Sequence, residues 1–309
     1  MLESQTLSAY NATMTTTVFL PGQFTFGSIP GFTRQIVALN GHPTDNEFIF
    51  DFSRLTFIDG SGMTVISNTM EWLSHRGVRI SFRGHQRQFA SSIAYLDDCG
   101  FFNRHLGSSV RPNATIRNTT LPFTQVAHAE AHGWLEYNFT PFMCAVLDVE
   151  SGALASIRSC VGEIFNNIQD HSTLNIGFAH VQHYPNMQKV CITVSDFGRG
   201  IPNSMRAKRP NLSDSEAVML ATQAGITSQT TPRNRGLGLN LLIERVISNF
   251  GEVTIYSFNG AVRCARDSQG TLVQVPLIGN GAYPGTLVDI SLPTDQFVGD
   301  EFEEEEIEW

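Results

Sequence analysis

The strongest helical pattern in this chain ends on the stretch Glu163-Ile-Phe-Asn-Asn-Ile-Gln-Asp-His171. Apolar residues recur at steps of three and four before it, which predicts an amphipathic helix over residues 151–171. Glu163 and Asn167 are four residues apart, so they share a helix face that lies off the apolar stripe. A carboxylate beside an amide oxygen suits a general base next to a cation. The alternative for Glu163 is a solvated position on an ordinary amphipathic helix.

Two glycine-containing blocks follow this helix. The first is Asp196-Phe-Gly-Arg-Gly-Ile201, at the end of a predicted strand, and the second is Arg235-Gly-Leu-Gly-Leu239, at the start of a predicted helix. Gly198 and Gly200 leave room for a planar base against the backbone, and the carboxylate of Asp196 can accept a hydrogen bond from an adenine amino group. The free N–H groups at a helix start suit phosphate oxygens. The order and spacing of the three stretches together predict a nucleotide site.

The length of 309 residues favours two domains, and the order of predicted elements gives an α/β fold. Strands are predicted over 47–52, 78–82, 174–180, 190–195, 253–257, 271–275 and 286–292, and helices over about 60–75, 86–96, 128–137, 151–171 and 240–250. We predict a first domain over 1–108, a linker over 109–129, a second domain over 130–299 and an acidic tail over 300–309. Each domain is expected to contain a mixed sheet, the first with several helices and the second with one helical layer.

Charge and composition exclude several classes of protein. The net charge is −9, and removing the seven acids of the tail leaves only −2, so no basic surface for nucleic acid is expected. The tail itself is either a solvated end or a docking segment. No secretory signal or membrane-spanning run is present, which favours a cytoplasmic location. The five cysteines are scattered, and His128 with His132 lacks a third ligand, so no zinc site is predicted.

The stretch Phe50-Asp-Phe-Ser-Arg-Leu-Thr-Phe-Ile-Asp-Gly-Ser-Gly-Met63 resembles the central signature of STAS domains, the anti-sigma-factor antagonist family. Residues 95–102 resemble the closing helix and turn of that family, so the likeness covers about residues 15–108. In the family, a serine directly after the signature aspartate accepts a phosphate at a helix start, where free N–H groups stabilise an anion. Gly60 occupies that position here. Ser61, one residue later, is either a displaced phosphoacceptor or the cap of the helix.

The later blocks resemble the GHKL ATPase superfamily, which includes gyrase-type enzymes, histidine kinases and anti-sigma-factor serine kinases. The segment 285–293 resembles its last strand. The resemblance implies a Bergerat α/β sandwich with ATP and Mg²⁺ as cofactors, Glu163 as general base, Asn167 as magnesium ligand and Asp196 as adenine acceptor. The nucleotide contacts that it implies are Asn166, Asn167, Asp170, His171, Asp196, Gly198, Gly200, Ile201, Thr227, Ser228, Arg235, Gly236, Leu237, Gly238 and Leu239.

Three functions follow as hypotheses from these resemblances. The first is an ATP-dependent regulator, similar to serine kinases, that phosphorylates a protein partner. The second is a switch that hydrolyses ATP and changes an interface. The third is a nucleotide-sensing module without turnover, which the presence of Glu163 argues against. A protein partner and a homodimer are also expected, without direct contact to nucleic acid or membrane.

Overall fold

The computed structural model describes residues 15–38, 41–87, 89–171, 176–223 and 238–299. At positions 128, 166–171, 176, 238 and 278–280 it describes the backbone alone. Within these ranges the chain forms two α/β units, each built on its own sheet. No single described helix is both long and apolar enough to cross a membrane.

The first sheet is parallel. Its three main strands, in the order β1-β3-β5, are β1 (Thr16–Phe19), β3 (Glu47–Asp51) and β5 (Arg79–Arg83), and beside them β2 (Gln23–Phe24) pairs with β4 (Phe57–Ile58). The helices are α1 (Ile29–Thr33), α2 (Gly60–Ser74), α3 (Ser91–Asp98) and α4 (Phe101–Leu106). Every described pairing between these strands is parallel, so the prediction of a mixed sheet was wrong here, because helical segments and not hairpins connect β1 to β3 and β3 to β5. The predicted helix over 86–96 also begins later, at Ser91.

The second sheet is antiparallel in every described pairing. Its strands lie in the order β6-β7-β8-β10-β9 and are β6 (Thr120–Ala127), β7 (Ile176–Tyr184), β8 (Lys189–Asp196), β9 (Glu252–Arg266) and β10 (Leu272–Pro293). The prediction of a mixed sheet was wrong here too. Short turns join β7 to β8 and β9 to β10, and such hairpins force neighbouring strands to run in opposite directions.

Strand β6 lies inside the segment predicted as a linker. Its pattern is hard to recognise because Pro122 interrupts the strand, and a proline is tolerated there because β6 is an edge strand. The residues before it are held against α3, where the Arg117 guanidinium lies 2.9 Å from the Asp98 carboxylate. Strand β10 likewise differs from the prediction, since it is one long irregular strand where two were expected.

The described helices of the second unit are α5 (His128–Trp134), α6 (Thr140–Leu147), α7 (Ala155–His171), α8 (Gly200–Arg206), α9 (Asp214–Ala221) and α10 (Gly238–Ser248). Of these, α5, α7 and α10 lie at predicted positions, α6 extends the first of them, and α8 and α9 were not predicted. A π-helical segment, Leu135–Phe139, joins α5 to α6, so the helix predicted to end at 137 continues to Leu147. A short 3-10 turn, Ser151–Leu154, precedes α7.

The two faces of the second sheet are covered by different parts of the chain. On β8, Val190, Ile192 and Val194 belong to the core that includes the buried residues of α7 and α10, and we call this side the helical face. The alternate residues Thr193 and Ser195 lie on the opposite side, which we call the docking face.

Helix α2 of the first unit covers the docking face. Of its 15 residues 13 are buried, so α2 has no solvent-facing stripe of the kind that a surface helix shows. The core around it joins the two units, since Phe178, Phe197 and Tyr283 of the second unit belong to the same cluster as Phe50 and Ile66 of the first unit. The two units therefore share one apolar core through α2.

Candidate functional site

The topology brings three predicted segments to one end of the second sheet. Asp196 is the last residue of β8 and lies in register with Gly177 at the start of β7. Only residues 172–175 separate the end of α7 from β7, so that end of α7 lies near the Asp196 end of the sheet. Helix α10 ends beside the start of β9, at the far end of the sheet, and its length of 11 residues carries its first turn back toward Asp196.

Asp196 is a buried carboxylate, with 7% of its surface exposed. Burial raises its pKa from 3.8 to about 7, although backbone hydrogen bonds from Thr286 and Gly198 oppose the rise. It follows Val194 at a spacing of two and so points to the helical face. No basic side chain among the described residues forms a salt bridge with it. A desolvated carboxylate without a cation is typical of binding sites.

The turn after Asp196 requires glycine at position 200. Gly200 has φ of +69°, and a Cβ there would lie 2.5 Å from the ring of Phe258. The next residue is held by a hydrogen bond from the Ile201 N–H to Ser257 Oγ at 3.0 Å. The backbone between Asp196 and α8 is therefore fixed in one conformation that a larger residue cannot adopt.

We expect Gly200→Ala to lower the free energy of unfolding by about 2 kcal/mol, because it combines a left-handed backbone penalty with overpacking against Phe258. Urea denaturation of the full chain measures this change. The control is Gly133→Ala in α5, where a Cβ meets nothing within 4 Å and helix propensity favours alanine. A Gly200→Ala protein as stable as the wild type contradicts the argument.

Glu163 lies on α7 next to two residues that anchor the helix. Ile164 and Phe165 are buried in the helical-face core, and Glu163 is half-buried beside them. Asn166, Asn167, Asp170 and His171 belong to the last turns of the same helix, with only their backbone described. Leu239 packs against the core from α10, whose first residue is Gly238. Thr227, Ser228, Arg235, Gly236 and Leu237 lie outside the described residues, as does the tail over 300–309.

Ser61 lies in the first turn of α2, next to the residue that caps the helix. Asp59 is the N-cap, since its Oδ1 accepts the Gly62 N–H at 3.0 Å, so the alternative that Ser61 caps the helix was wrong. Ser61 is 2% exposed and donates its hydroxyl to Asp59 Oδ1 at 2.7 Å. Because the hydroxyl is enclosed, a kinase cannot reach it in this conformation. Phosphorylation of Ser61 stays a prediction.

The docking face covers the position where the family carries serine. A Cβ on Gly60 would lie 3.0 Å from Thr193 Oγ1 and 3.0 Å from His180 Cδ2. His180 is itself buried, and burial lowers its pKa to about 3, so its ring is neutral. Its Nε2 lies 2.9 Å from the Tyr95 hydroxyl. A side chain at position 60 would thus press against the second sheet.

Residues 7–113 match the model of the STAS domain family. The N-terminal domain is of the STAS type. This confirms the STAS part of the predicted organisation, and the match ends before β6 begins. STAS domains generally mediate protein–protein interactions, which indicates a regulatory signalling role resembling that of anti-sigma-factor antagonists. The search of curated proteins gave no match to the chain.

Contacts between the STAS domain and β8 were missed by the sequence analysis. Asn68 of α2 donates to Ser195 Oγ at 2.7 Å and to the Tyr283 hydroxyl at 3.0 Å. Ser195 and Tyr283 are also hydrogen-bonded to each other. Trp72, one turn later, stacks on Phe197 with ring centroids 5.6 Å apart. The available signal was the composition of α2, which has a single charged residue, Glu71, over its length.

The docking face carries a half-buried carboxylate, that of Asp289. Asp289 of β10 accepts a hydrogen bond from Thr193 Oγ1 at 2.6 Å, and its pKa is raised to about 7 by burial and further by the charge of Asp59. Burial also raises the pKa of Asp59. Burial thus raises the pKa of two carboxyl groups at this interface.

We expect Asp289→Asn to stabilise the protein at pH 8 by about 1–3 kcal/mol and to have little effect at pH 4. The folded-state pKa lies above the unfolded value, so the stability contributed by the protonated carboxyl is present below pH 4 and is lost as pH rises through 7. Urea denaturation of both proteins at the two pH values tests this. An equal difference at both pH values contradicts the raised pKa of Asp289.

A cavity of about 480 Å³ lies at the opposite end of the sheet from Asp196. Lys189, at the start of β8, lines it, and so do Arg263 and Arg266 of β9. Glu252 and Asp295 lie in the same wall and offset most of this positive charge. Because β8 runs from Lys189 to Asp196, about 23 Å of strand separates this cavity from Asp196.

Proposed function

We propose that this chain is an ATP-binding regulatory protein that signals through a protein partner. The second domain holds magnesium and an adenine nucleotide between α7, the Asp196 turn and the start of α10. One observation carries the proposal: the strand register and the short connection after α7 bring these three segments to the same end of the sheet, on its helical face.

The residues at this end fit an adenine nucleotide. Asp196 is a desolvated acceptor for the adenine amino group. The space on the Cβ side of Gly200 is occupied by the side chains of Phe258 and Ser257. The first N–H groups of α10 suit phosphate oxygens. The amide oxygen of Asn167 suits a magnesium ion that keeps part of its water.

Glu163 is the proposed general base. It lies one helical turn before Asn167 on α7, so the proton acceptor and the magnesium ligand occupy one helix face. A carboxylate there accepts a proton from the attacking hydroxyl, while ATP with its magnesium supplies the phosphoryl group. In the kinase-like function this hydroxyl belongs to a side chain of the protein partner.

The burial of Ser61 argues against self-phosphorylation and leaves hydrolysis as a second candidate function beside phosphorylation of a partner. The STAS domain of the chain does not present an accessible acceptor at the start of α2, because the second sheet covers that site. Water then replaces the protein hydroxyl as the attacking group, and ATP turnover changes an interface with the partner.

Binding of ATP with magnesium to the full chain tests the proposal by calorimetry. We expect saturable heat with ATP and magnesium, and none with GTP, since the amino group that Asp196 recognises is replaced by a carbonyl oxygen in guanine. The absence of heat with ATP would overturn the proposal. Radiolabel in the γ-phosphate separates the two functions, because label on protein indicates a kinase and free phosphate indicates hydrolysis.

Homodimer formation, which the resemblance also implies, stays a prediction. Sedimentation of the full chain with and without ATP measures it directly.

A further inference from the structure

The STAS domain contacts β8 on both sides of the proposed adenine acceptor. Ser195 accepts a hydrogen bond from Asn68, and Phe197 stacks on Trp72. Asp196 lies between these two residues and points to the other side of the sheet. Two residues of α2 that are one helical turn apart therefore contact the residues on either side of Asp196, at the end of β8.

We propose that Asn68 and Trp72 are positioning residues for the nucleotide site, so that docking of α2 and binding of the nucleotide favour each other. This inference rests on the proposed function and adds its regulation. The STAS domain, packed on the docking face, raises the affinity for the nucleotide, which binds on the helical face of the same strand.

The end of β8 depends on these contacts because the chain leaves the sheet there. Asp196 is the last residue of the strand, and a bend leads from it to α8. On the β10 side, Gly285 passes so close that a Cβ would lie 2.1 Å from the Asp196 carbonyl oxygen. On the docking face, Tyr283 joins the Asn68 hydrogen bonds and also packs against Phe197 with centroids 5.0 Å apart.

These groups form one packed unit. The hydroxyls of Ser195 and Tyr283 are both buried, and Asn68 is 3% exposed, so removing the amide leaves two buried hydroxyls without that donor. The packing around these hydroxyls then loosens, and the backbone of Ser195 and Phe197 shifts. A carboxylate attached to that backbone loses the fixed position that directional recognition of an amino group requires.

Coupling between two sites is reciprocal. If docking of α2 strengthens nucleotide binding, then a bound nucleotide must strengthen docking of α2 by the same factor. Amide hydrogens of residues 60–74 are therefore expected to exchange more slowly when the nucleotide is bound. Binding also slows exchange through global unfolding at every amide, so the coupling predicts that residues 60–74 gain more protection than β1 and β3 of the same domain.

The test compares Asn68→Ala with Ser67→Ala in the full chain. Both residues are buried and polar and lie side by side on α2, but Ser67 Oγ pairs with His105 Nε2 at 3.2 Å inside the STAS domain. Calorimetry measures affinity for ATP with magnesium, and hydrogen exchange measures protection of 60–74. We expect Asn68→Ala to weaken binding about tenfold, Ser67→Ala to bind like wild type, and ATP to slow exchange in the wild type.

A second variant, Trp72→Phe, keeps an aromatic ring against Phe197. It tests the coupling even if Asn68→Ala does not fold. It is expected to weaken binding by a smaller factor while thermal unfolding stays cooperative. Equal affinity in all four proteins, an equal loss in both α2 polar variants, or a gain in protection over 60–74 no greater than that of β1 and β3 each overturns the coupling and leaves ATP binding itself intact. Failure of the wild type to bind ATP overturns the proposed function and the coupling with it.

Discussion

Replacing Asp196 with alanine is expected to weaken ATP binding by about 100-fold, because a hydrogen bond to a buried charged acceptor is worth ~1.5–3 kcal/mol. Replacing Glu163 with alanine is expected to leave ATP bound and to stop turnover, since a general base acts on the reacting group and not on adenine. Calorimetry with ATP and magnesium, together with release of labelled phosphate, measures both effects in the same preparations.

Asp196→Asn serves as the control for folding. It removes a buried negative charge that no basic residue in the described part of the chain neutralises, so this variant is expected to be more stable than the wild type at pH 8. A stable Asp196→Asn protein with weakened ATP binding assigns the loss to recognition. An Asp196→Ala affinity that matches the wild type, or full turnover in Glu163→Ala, contradicts the proposed site.

The pH dependence of ATP binding is an independent test of the role of the Asp196 carboxylate. Because the pKa of Asp196 is raised to about 7, part of the population is protonated at neutral pH. A protonated carboxyl is a weaker acceptor for the adenine amino group. ATP affinity of the wild type is therefore expected to fall as pH drops from 8 to 6, and that of Asp196→Asn to change less.

Replacing Gly60 with leucine is expected to lower the free energy of unfolding by about 3 kcal/mol, at the upper end for overpacking of a filled interior. A Cβ at this position already lies 3.0 Å from the side chains of Thr193 and His180, and neither residue has space to retreat because each is 1% exposed. Helix α2 must then move away from the docking face, which breaks the core shared by the two domains. Urea denaturation followed by tryptophan fluorescence reports the change through Trp72.

Gly31→Leu in α1 is the matched control in the same domain. A Cβ at Gly31 meets nothing within 4 Å, so leucine there is expected to change stability by less than about 1 kcal/mol. If Gly60→Leu unfolds in the same way as Gly31→Leu, the docking face does not constrain position 60. A split of the single unfolding transition into two would show that the shared core holds the domains together.

The docked arrangement changes what the STAS domain offers to a partner. The second sheet of the same chain covers helix α2, including its first turn. A protein partner must therefore contact the STAS domain elsewhere or displace α2 from the docking face. In the second case the positioning of Asp196 by Asn68 and Trp72 links partner binding to nucleotide binding.

Much of the local structure was predictable because it depends on neighbours in sequence. The apolar period before Glu163 gave α7, and the run of β-branched residues before Asp196 gave β8 with its end at the right place. The direction of pairing was not predictable from these patterns, and both sheets proved uniform. β6 was missed because an edge strand tolerates a proline that reads as a break.

The sequence by itself determined the positions of α2, α7, α10 and most strands, but not those of β6, α8 and α9. It also placed an acid at the end of β8 before a glycine turn, since periodicity and turn residues act over a few positions. Only the tertiary structure decided what covers α2, why position 60 is glycine, and which residues hold the end of β8. Those features arise from contacts such as Asn68 with Ser195, which are 127 positions apart. Such contacts depend on how the two folded domains pack against each other, and this packing produces no periodic pattern in the sequence of either segment.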